Sequence, residues 1–363
     1  MGYLYYIKFV TLTKNNIWRF VSKNYTKFNI SFYMNYVLQY LIETICLNIY
    51  DKKYTKCALF LFFIMAFRSQ IKKGIQNTFI HVCNRLIFKP LKINEEKYNT
   101  LMSNPNVIHE IIETNDNVIL DAFLYNKDKI PSYQDDIIFL YSHGNAGWLG
   151  SVFETTTFNN IVNYGTIFVY DYRGYGKSKS KNNSMKLERP SEKGCFMDCV
   201  SVYDYLIKTK NVNPKRIILF GHSMGACTTL YLMKYILENE KYNHYPSFVI
   251  LQSSFENIQR VCNDIVPILG KYVISDLKND LFIEKIDNIC LEKLIHLNIC
   301  IIHSNEDDLI NIKHSLDLTN HIKHINKKMI TVSGPHGAPV YNEETTHYFF
   351  EMCESIRSNA NNK

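Results

Sequence analysis

Arg216-Ile-Ile-Leu-Phe-Gly-His-Ser-Met-Gly-Ala-Cys-Thr-Thr-Leu230 is the stretch on which the fold turns. Its first five residues form an apolar run of strand length, and an Ala/Leu/Tyr-rich helical pattern begins behind Ser223. Between them, Gly221-His222-Ser223-Met224-Gly225 places a glycine two residues before and two residues after a serine. A nucleophile on a sharp strand-to-helix turn needs small residues at those positions, because the backbones pass too closely for side chains. The helix start behind it offers backbone N–H groups and a positive dipole end to a developing oxyanion. Ser223 is therefore the candidate nucleophile, and the Met224 backbone N–H the first candidate oxyanion donor.

Outward from this turn, short apolar runs alternate with helical periods. Residues 107–113 and 117–124 read as a strand pair around Asn115-Asp116. Further runs of about five residues are Ile137–Tyr141, Thr166–Tyr170, Phe248–Leu251, Ile299–Ile302 and Lys328–Val332. Helix-length segments at 192–209, 223–236, 311–322 and 343–356 separate most of them. Buried strands alternating with helices predict a mostly parallel sheet covered on both faces, an α/β architecture. Residues 255–295 are too long for a simple connection, and a short cap insertion over the site is expected there.

The partners of Ser223 are sought further along the chain, in the order serine, acid, histidine. His303-Ser-Asn-Glu-Asp-Asp-Leu-Ile310 follows the run Ile299–Ile302 and narrows the acid to Glu306, Asp307 and Asp308. The usual spacing after the strand end selects Asp307. Ser333-Gly-Pro-His-Gly337 follows the last strand, with glycines that make room for an exposed ring, so His336 is the candidate base. His314, His321, His324 and His347 fall on or beside helical segments and read as packed or solvated. His143-Gly-Asn-Ala-Gly147 supplies the loop after an earlier strand, where a second oxyanion donor is needed; the Asn145 backbone N–H is that candidate. His143 precedes the nucleophile in the chain and reads as structural. Asp171-Tyr-Arg-Gly-Tyr-Gly-Lys-Ser178 ends like a phosphate loop but lacks its first glycine, so nucleotide binding is set aside and a tight turn held by an Asp171–Arg173 pair is expected.

Charge divides the chain. Residues 1–100 contain 15 Lys/Arg against 4 Asp/Glu, a net +11, while the remaining 26 basic and 30 acidic residues give −4. A nucleic-acid enzyme is expected to carry its basic patch on the catalytic body, so that class is excluded. Basic residues among apolar stretches suit a surface facing anionic lipid. The run Cys57–Phe67 is uninterrupted and apolar between basic flanks, but its eleven residues are short of the roughly 20 needed for a spanning helix. The expectation is a helical membrane anchor in residues 1–100: an inserted hairpin or interfacial anchor made with residues 30–50, or a short transmembrane helix extended by its flanks. The rival reading of 57–67 is a buried helix. The ten cysteines include no CxxC pair, and Cys195 and Cys199 lack the histidines of a zinc site, so neither a metal nor a disulfide framework is expected. A reduced catalytic domain facing the cytosol is the simpler reading, on a membrane of the endoplasmic reticulum or the cell surface.

From about residue 105 to 356 the chain resembles the α/β-hydrolase superfamily, and within it the eukaryotic branch of bud-emergence-type proteins and membrane-tethered protein depalmitoylases. The matching pieces are the His143–Gly147 loop, the Asp171–Ser178 turn, Gly221–Gly225, the Asp307 turn and His336. Ser304 departs from the pattern where glycine is common, and Gly337 where related members often have Asn-Asp. The resemblance implies an α/β-hydrolase fold and a cofactor-free Ser223–Asp307–His336 triad cleaving an acyl ester or thioester. S-acylated proteins and lysophospholipids are the substrates it suggests, with a general carboxylesterase as the broader alternative and a non-catalytic membrane scaffold as the rival from another class. A prolyl-oligopeptidase reading is set aside because no segment is available for the large propeller of such peptidases.

Overall fold

In a computed structural model of the chain, the alternating pattern becomes a sheet with a helical layer on each face. The structure describes residues 87–126, 136–181, 189–265, 273 and 275–361, all within the compact unit Cys83–Lys363. Of the anchor expected in residues 1–100, residues 1–86 with the apolar run 57–67 lie outside the described residues, while 87–100 are described and belong to this unit. Among those described, no helix is long and apolar enough to cross a membrane.

The strands are β1 (Val107–Glu113), β2 (Val118–Tyr125), β3 (Ile138–Ser142), β4 (Thr166–Tyr170), β5 (Lys179–Ser180), β6 (Ile217–His222), β7 (Phe248–Gln252), β8 (Asn298–Ser304) and β9 (Asn326–Val332). The helices are α1 (Glu95–Met102), α2 (Leu149–Val152), α3 (Thr156–Ile161), α4 (Glu192–Asp204), α5 (Met224–Glu238), α6 (Ile258–Ile265), α7 (Asn279–Lys293), α8 (Lys313–His321) and α9 (Glu343–Asn361). Sheet order among the described residues is β1-β2-β4-β3-β6-β7-β8-β9, with the short β5 paired to β2. The hairpin β1–β2 and the β2–β4 pair are antiparallel, and every pair from β4 to β9 is parallel. The order reverses at β3 and β6, and ligand crevices of open α/β sheets form at the carboxyl ends of strands about such a switch point.

Both faces of the parallel strands are apolar, as burial on two sides requires. In β6, Ile217 and Leu219 join the core shared with α4, α5 and α7, while Ile218 and Phe220 join the opposite core with Phe349, Met352 and Cys353 of α9. That alternation is the period-two geometry of a strand applied to an unbroken apolar sequence.

Two expectations need correction. The segment 255–295 is not a cap throughout. Its second half is α7, whose Ile283 and Ile286 are fully buried in the core with α5, because the parallel crossover from β7 to β8 needs a helix on the sheet. Only α6 and its neighbours remain as the part beside the site. The other correction concerns the Asp171–Ser178 turn, where Arg173 does not pair with Asp171. The guanidinium reaches Asp198 of α4 (2.7 and 2.9 Å) and Asp116 of the β1–β2 turn (2.7 and 3.1 Å). Asp171 turns the other way, accepting the Leu149 N–H at 2.7 Å and standing 3.3 Å from His143. Gly176, at φ +50°, is obligatory in this turn, since a Cβ there would strike the Asp171 carboxylate.

Candidate active site

Ser223 occupies the junction of β6 and α5 with φ 55° and ψ −117°, a conformation that L-residues rarely adopt. Its N–H donates to Gln252 C=O at 2.9 Å, so the end of β7 holds the turn in place. The flanking glycines are required by contact. A Cβ on Gly225 would lie 1.9 Å from Ser142 O, and one on Gly221 would lie 2.5 Å from Gly225 O.

His336, on the loop after β9, stands 3.0 Å from Ser223 Oγ through Nε2 and 2.8 Å from Asp307 Oδ2 through Nδ1. Asp307 lies on the loop after β8, and its side chain is fully buried. Burial by itself would raise the Asp307 pKa, but hydrogen bonds from His303, His336 and the Ile310 N–H outweigh it and hold the carboxyl well below the usual carboxylate range. An ionised Asp307 accepts the Nδ1 proton, which leaves the Nε2 lone pair facing the Ser223 hydroxyl. The three sequence-selected residues are thus in one hydrogen-bonded line.

The other two carboxylates of the acidic trio hold the backbone of the His336 loop, at Gly334 and at His336. Glu306 Oε2 accepts the Gly334 N–H at 2.8 Å, and Asp308 Oδ1 accepts the His336 N–H at 3.0 Å. Ser304, the departure from the family pattern, donates its hydroxyl to Gly334 C=O and accepts the Glu306 N–H. Below the acid, the fully buried His303 lies 3.2 Å from Asp307 Oδ2 and 2.9 Å from Ile310 O, with Nδ1 2.6 Å from Ser315 Oγ. His222, inside the serine motif, reaches the His336 carbonyl at 3.2 Å; burial, followed by repulsion from His336, pushes its pKa down to about 3 and keeps the ring neutral. These supports went unnoticed in the sequence, although the run of three carboxylates beside a serine was the signal that more than one was in use.

The loop His143–Gly147 abuts the serine. A Cβ on Gly144 would lie 3.5 Å from Ser223 Cβ and 3.1 Å from the His222 ring. Neither the Asn145 nor the Met224 backbone N–H donates to another described residue. His143 is buried, with Nδ1 2.7 Å from Gly144 O, in keeping with a structural part. The rival histidines are elsewhere: His314 faces Asp264, His321 faces Glu256, His347 faces Glu351, and the His324 backbone donates to Asp287. Beside the acid loop opens a cavity of about 510 Å³ lined by Arg260, Val261, Ile265, Asp307, Leu309 and His314 among others.

Residues 155–337, half of the chain, match the model of the prolyl oligopeptidase family. The mimivirus protein R595, from Acanthamoeba polyphaga mimivirus, is 27% identical over 285 residues, 76% of this chain and 92% of that protein. Protein bem46 of Schizosaccharomyces pombe is 26% identical over 208 residues, 56% of this chain and 62% of its own length. The lysophosphatidylserine lipase ABHD12 of Macaca fascicularis is 32% identical over 123 residues, 34% of this chain and 28% of its own. An α/β-hydrolase structure from Vibrio vulnificus superposes with a TM-score of 0.53 at 16% identity, covering 80% of this chain and 94% of that one. The matched segment runs from just before α3 to the His336 loop, within the unit Cys83–Lys363, and it overturns the setting-aside of the prolyl oligopeptidase family on the sequence.

Proposed function

The chain belongs to the prolyl oligopeptidase family of α/β-hydrolases, and from that premise we propose that it cleaves an acyl ester or thioester with Ser223 as nucleophile, His336 as base and Asp307 as the orienting acid. The observation that carries this reading is the line Ser223 Oγ–His336 Nε2 (3.0 Å) and His336 Nδ1–Asp307 Oδ2 (2.8 Å) on a strained strand-to-helix turn. His336 takes the hydroxyl proton as Ser223 attacks the acyl carbon, and Asp307 stabilises the imidazolium. The tetrahedral oxyanion is held by the Met224 and Asn145 backbone N–H groups, each typically worth about 3 kcal/mol of barrier. His336 returns the proton to the leaving group, and water then releases the acyl chain from Ser223.

For the substrate, a lipid-like acyl group is favoured. The support is a relative that carries the name of a lysophosphatidylserine lipase; the cavity beside the acid loop is lined mainly by charged and polar side chains, with Val261, Ile265 and Leu309 as its apolar part. Membrane attachment through residues 1–100 belongs to the same proposal, supported by their net +11 and the apolar run 57–67. The test is covalent labelling by a fluorophosphonate, together with hydrolysis of a p-nitrophenyl ester. Wild type labels at Ser223 and turns over; Ser223→Ala keeps the fold and loses both. Equal hydrolysis by wild type and Ser223→Ala removes the assignment, and a folded wild type that never labels points to a scaffold.

A further inference from the structure

The Asn145 side chain does not face the reaction centre; it grips another part of the chain. Its Nδ2 donates to Ile87 C=O, and its Oδ1 accepts the Lys89 N–H at 2.9 Å. One amide therefore brackets the backbone of residues 87–89 on both sides. Phe88, between the two bonds, is 4% exposed and belongs to the core shared with α4 and α5. The strap thus cannot slide along Asn145 without pulling an aromatic ring out of the interior. The same Oδ1 accepts the Tyr175 hydroxyl at 2.9 Å. Tyr175 is fully buried in the Asp171–Ser178 turn, its ring edge-on to His143 at 5.4 Å.

These contacts converge on the loop that abuts Ser223. At its His143 end, the loop is held by the Tyr172 hydroxyl, which donates to His143 C=O at 3.0 Å. At its Asn145 end, the anchors are the strap and Tyr175. An oxyanion donor acts only on charge that develops in the transition state, so its position governs turnover rather than ground-state binding. We propose that residues 87–89 are a positioning strap for the oxyanion hole: through the Asn145 side chain they set where the Asn145 backbone N–H points. The inference rests on the assignment of that N–H as an oxyanion donor. It also gives the Asp171–Ser178 turn a task, since Tyr175 completes the acceptor capacity of the same amide. A displacement of the strap reaches the reaction centre through one side chain.

The full-length chain tests this with three substitutions. Asn145→Ala removes the grip but keeps the backbone N–H that does the chemistry. Lys89→Pro deletes one donor from the opposite side, and Tyr175→Phe removes the third contact. Turnover of a p-nitrophenyl ester is measured per Ser223 labelled to completion by a fluorophosphonate, so that any unfolded fraction drops out of the comparison. The expected result is a fall in kcat of tenfold or more for Asn145→Ala and a several-fold fall for the other two, with KM within twofold of wild type. If Lys89→Pro fails to fold, the remaining two variants carry the test. Unchanged kcat per labelled site with only a lowered melting temperature makes the strap purely structural and overturns the inference, while the hydrolase reading stands. A wild type that neither labels nor turns over overturns that reading, and the inference with it.

Discussion

His336 is held by three consecutive carboxylates, and they do different work. Asp307 meets the imidazole, whereas Glu306 and Asp308 accept backbone N–H groups of Gly334 and His336. Replacing Asp307 by Asn keeps the shape but presents an amide where an anion holds the ring, so the wrong tautomer is favoured. Turnover of Asp307→Asn is expected to fall by about 10⁴-fold, with fluorophosphonate labelling slowed in parallel. Glu306→Gln and Asp308→Asn keep an acceptor oxygen and are expected to lose less than tenfold. Asp308→Ala, which removes the acceptor, is expected to lose more than Asp308→Asn. A larger loss in Glu306→Gln or Asp308→Asn than in Asp307→Asn, measured as kcat/KM on a soluble ester, moves the acid to that neighbour.

The Asp171–Ser178 turn is the element whose role changes most between sequence and structure. Arg173 is 6% exposed and Asp198 fully buried, and the pair ties the turn to α4, with Asp116 adding the β1–β2 turn. The Arg173 side chain lies against Gly194 of α4, where a Cβ would come within 2.4 Å of its Cδ. Removing one member of a buried ion pair leaves the other charged and unsolvated, which costs about 3–5 kcal/mol. Arg173→Met is therefore expected to lower the unfolding free energy, read from urea denaturation, by that amount. The double variant Arg173→Met/Asp198→Leu is expected to recover much of the loss, because removing both charges also removes their desolvation. Additive destabilisation in the double variant shows that the two side chains do not act as a pair.

Residues 87–104 belong physically with the unit that carries Ser223. Phe88 and Tyr98 are buried, and Tyr98 donates its hydroxyl to Asp121 of β2 at 3.1 Å. A chain starting at Cys83 is accordingly expected to hydrolyse a soluble ester at close to the full-length rate. One starting at residue 105 loses both aromatic anchors and the Asn145 contacts to residues 87 and 89. Burial of each such ring is worth roughly 1.5–3 kcal/mol, so this shorter chain is expected to melt lower and turn over more slowly. The proposed membrane role of the N-terminal part makes a separate prediction. The chain from Cys83 leaves the membrane fraction and loses activity on membrane-resident acyl substrates, through loss of surface concentration. Retention of the full-length protein in carbonate-washed membranes, against release of the shorter one, is the measurement; release of both rules out an inserted anchor.

The α/β alternation, the turn at Ser223 and the order serine, acid, histidine were legible in the sequence because each rests on local patterns. Apolar runs of strand length, helical periods and glycines at fixed offsets depend on neighbours within a few residues. Ser223 and His336 were selected in this way and the acid was narrowed to Glu306, Asp307 and Asp308, of which the usual spacing chose Asp307; Ser223, His336 and Asp307 lie in one hydrogen-bonded line. The partner of Arg173, the backbone duties of Glu306 and Asp308, and the grip of Asn145 on residues 87–89 were decided only in three dimensions. Each joins segments 25 to 58 residues apart. A charged or amide side chain carries no mark of which distant backbone group it will meet. Strand order in the sheet brings those groups together, and burial then makes an unpaired one too costly to leave.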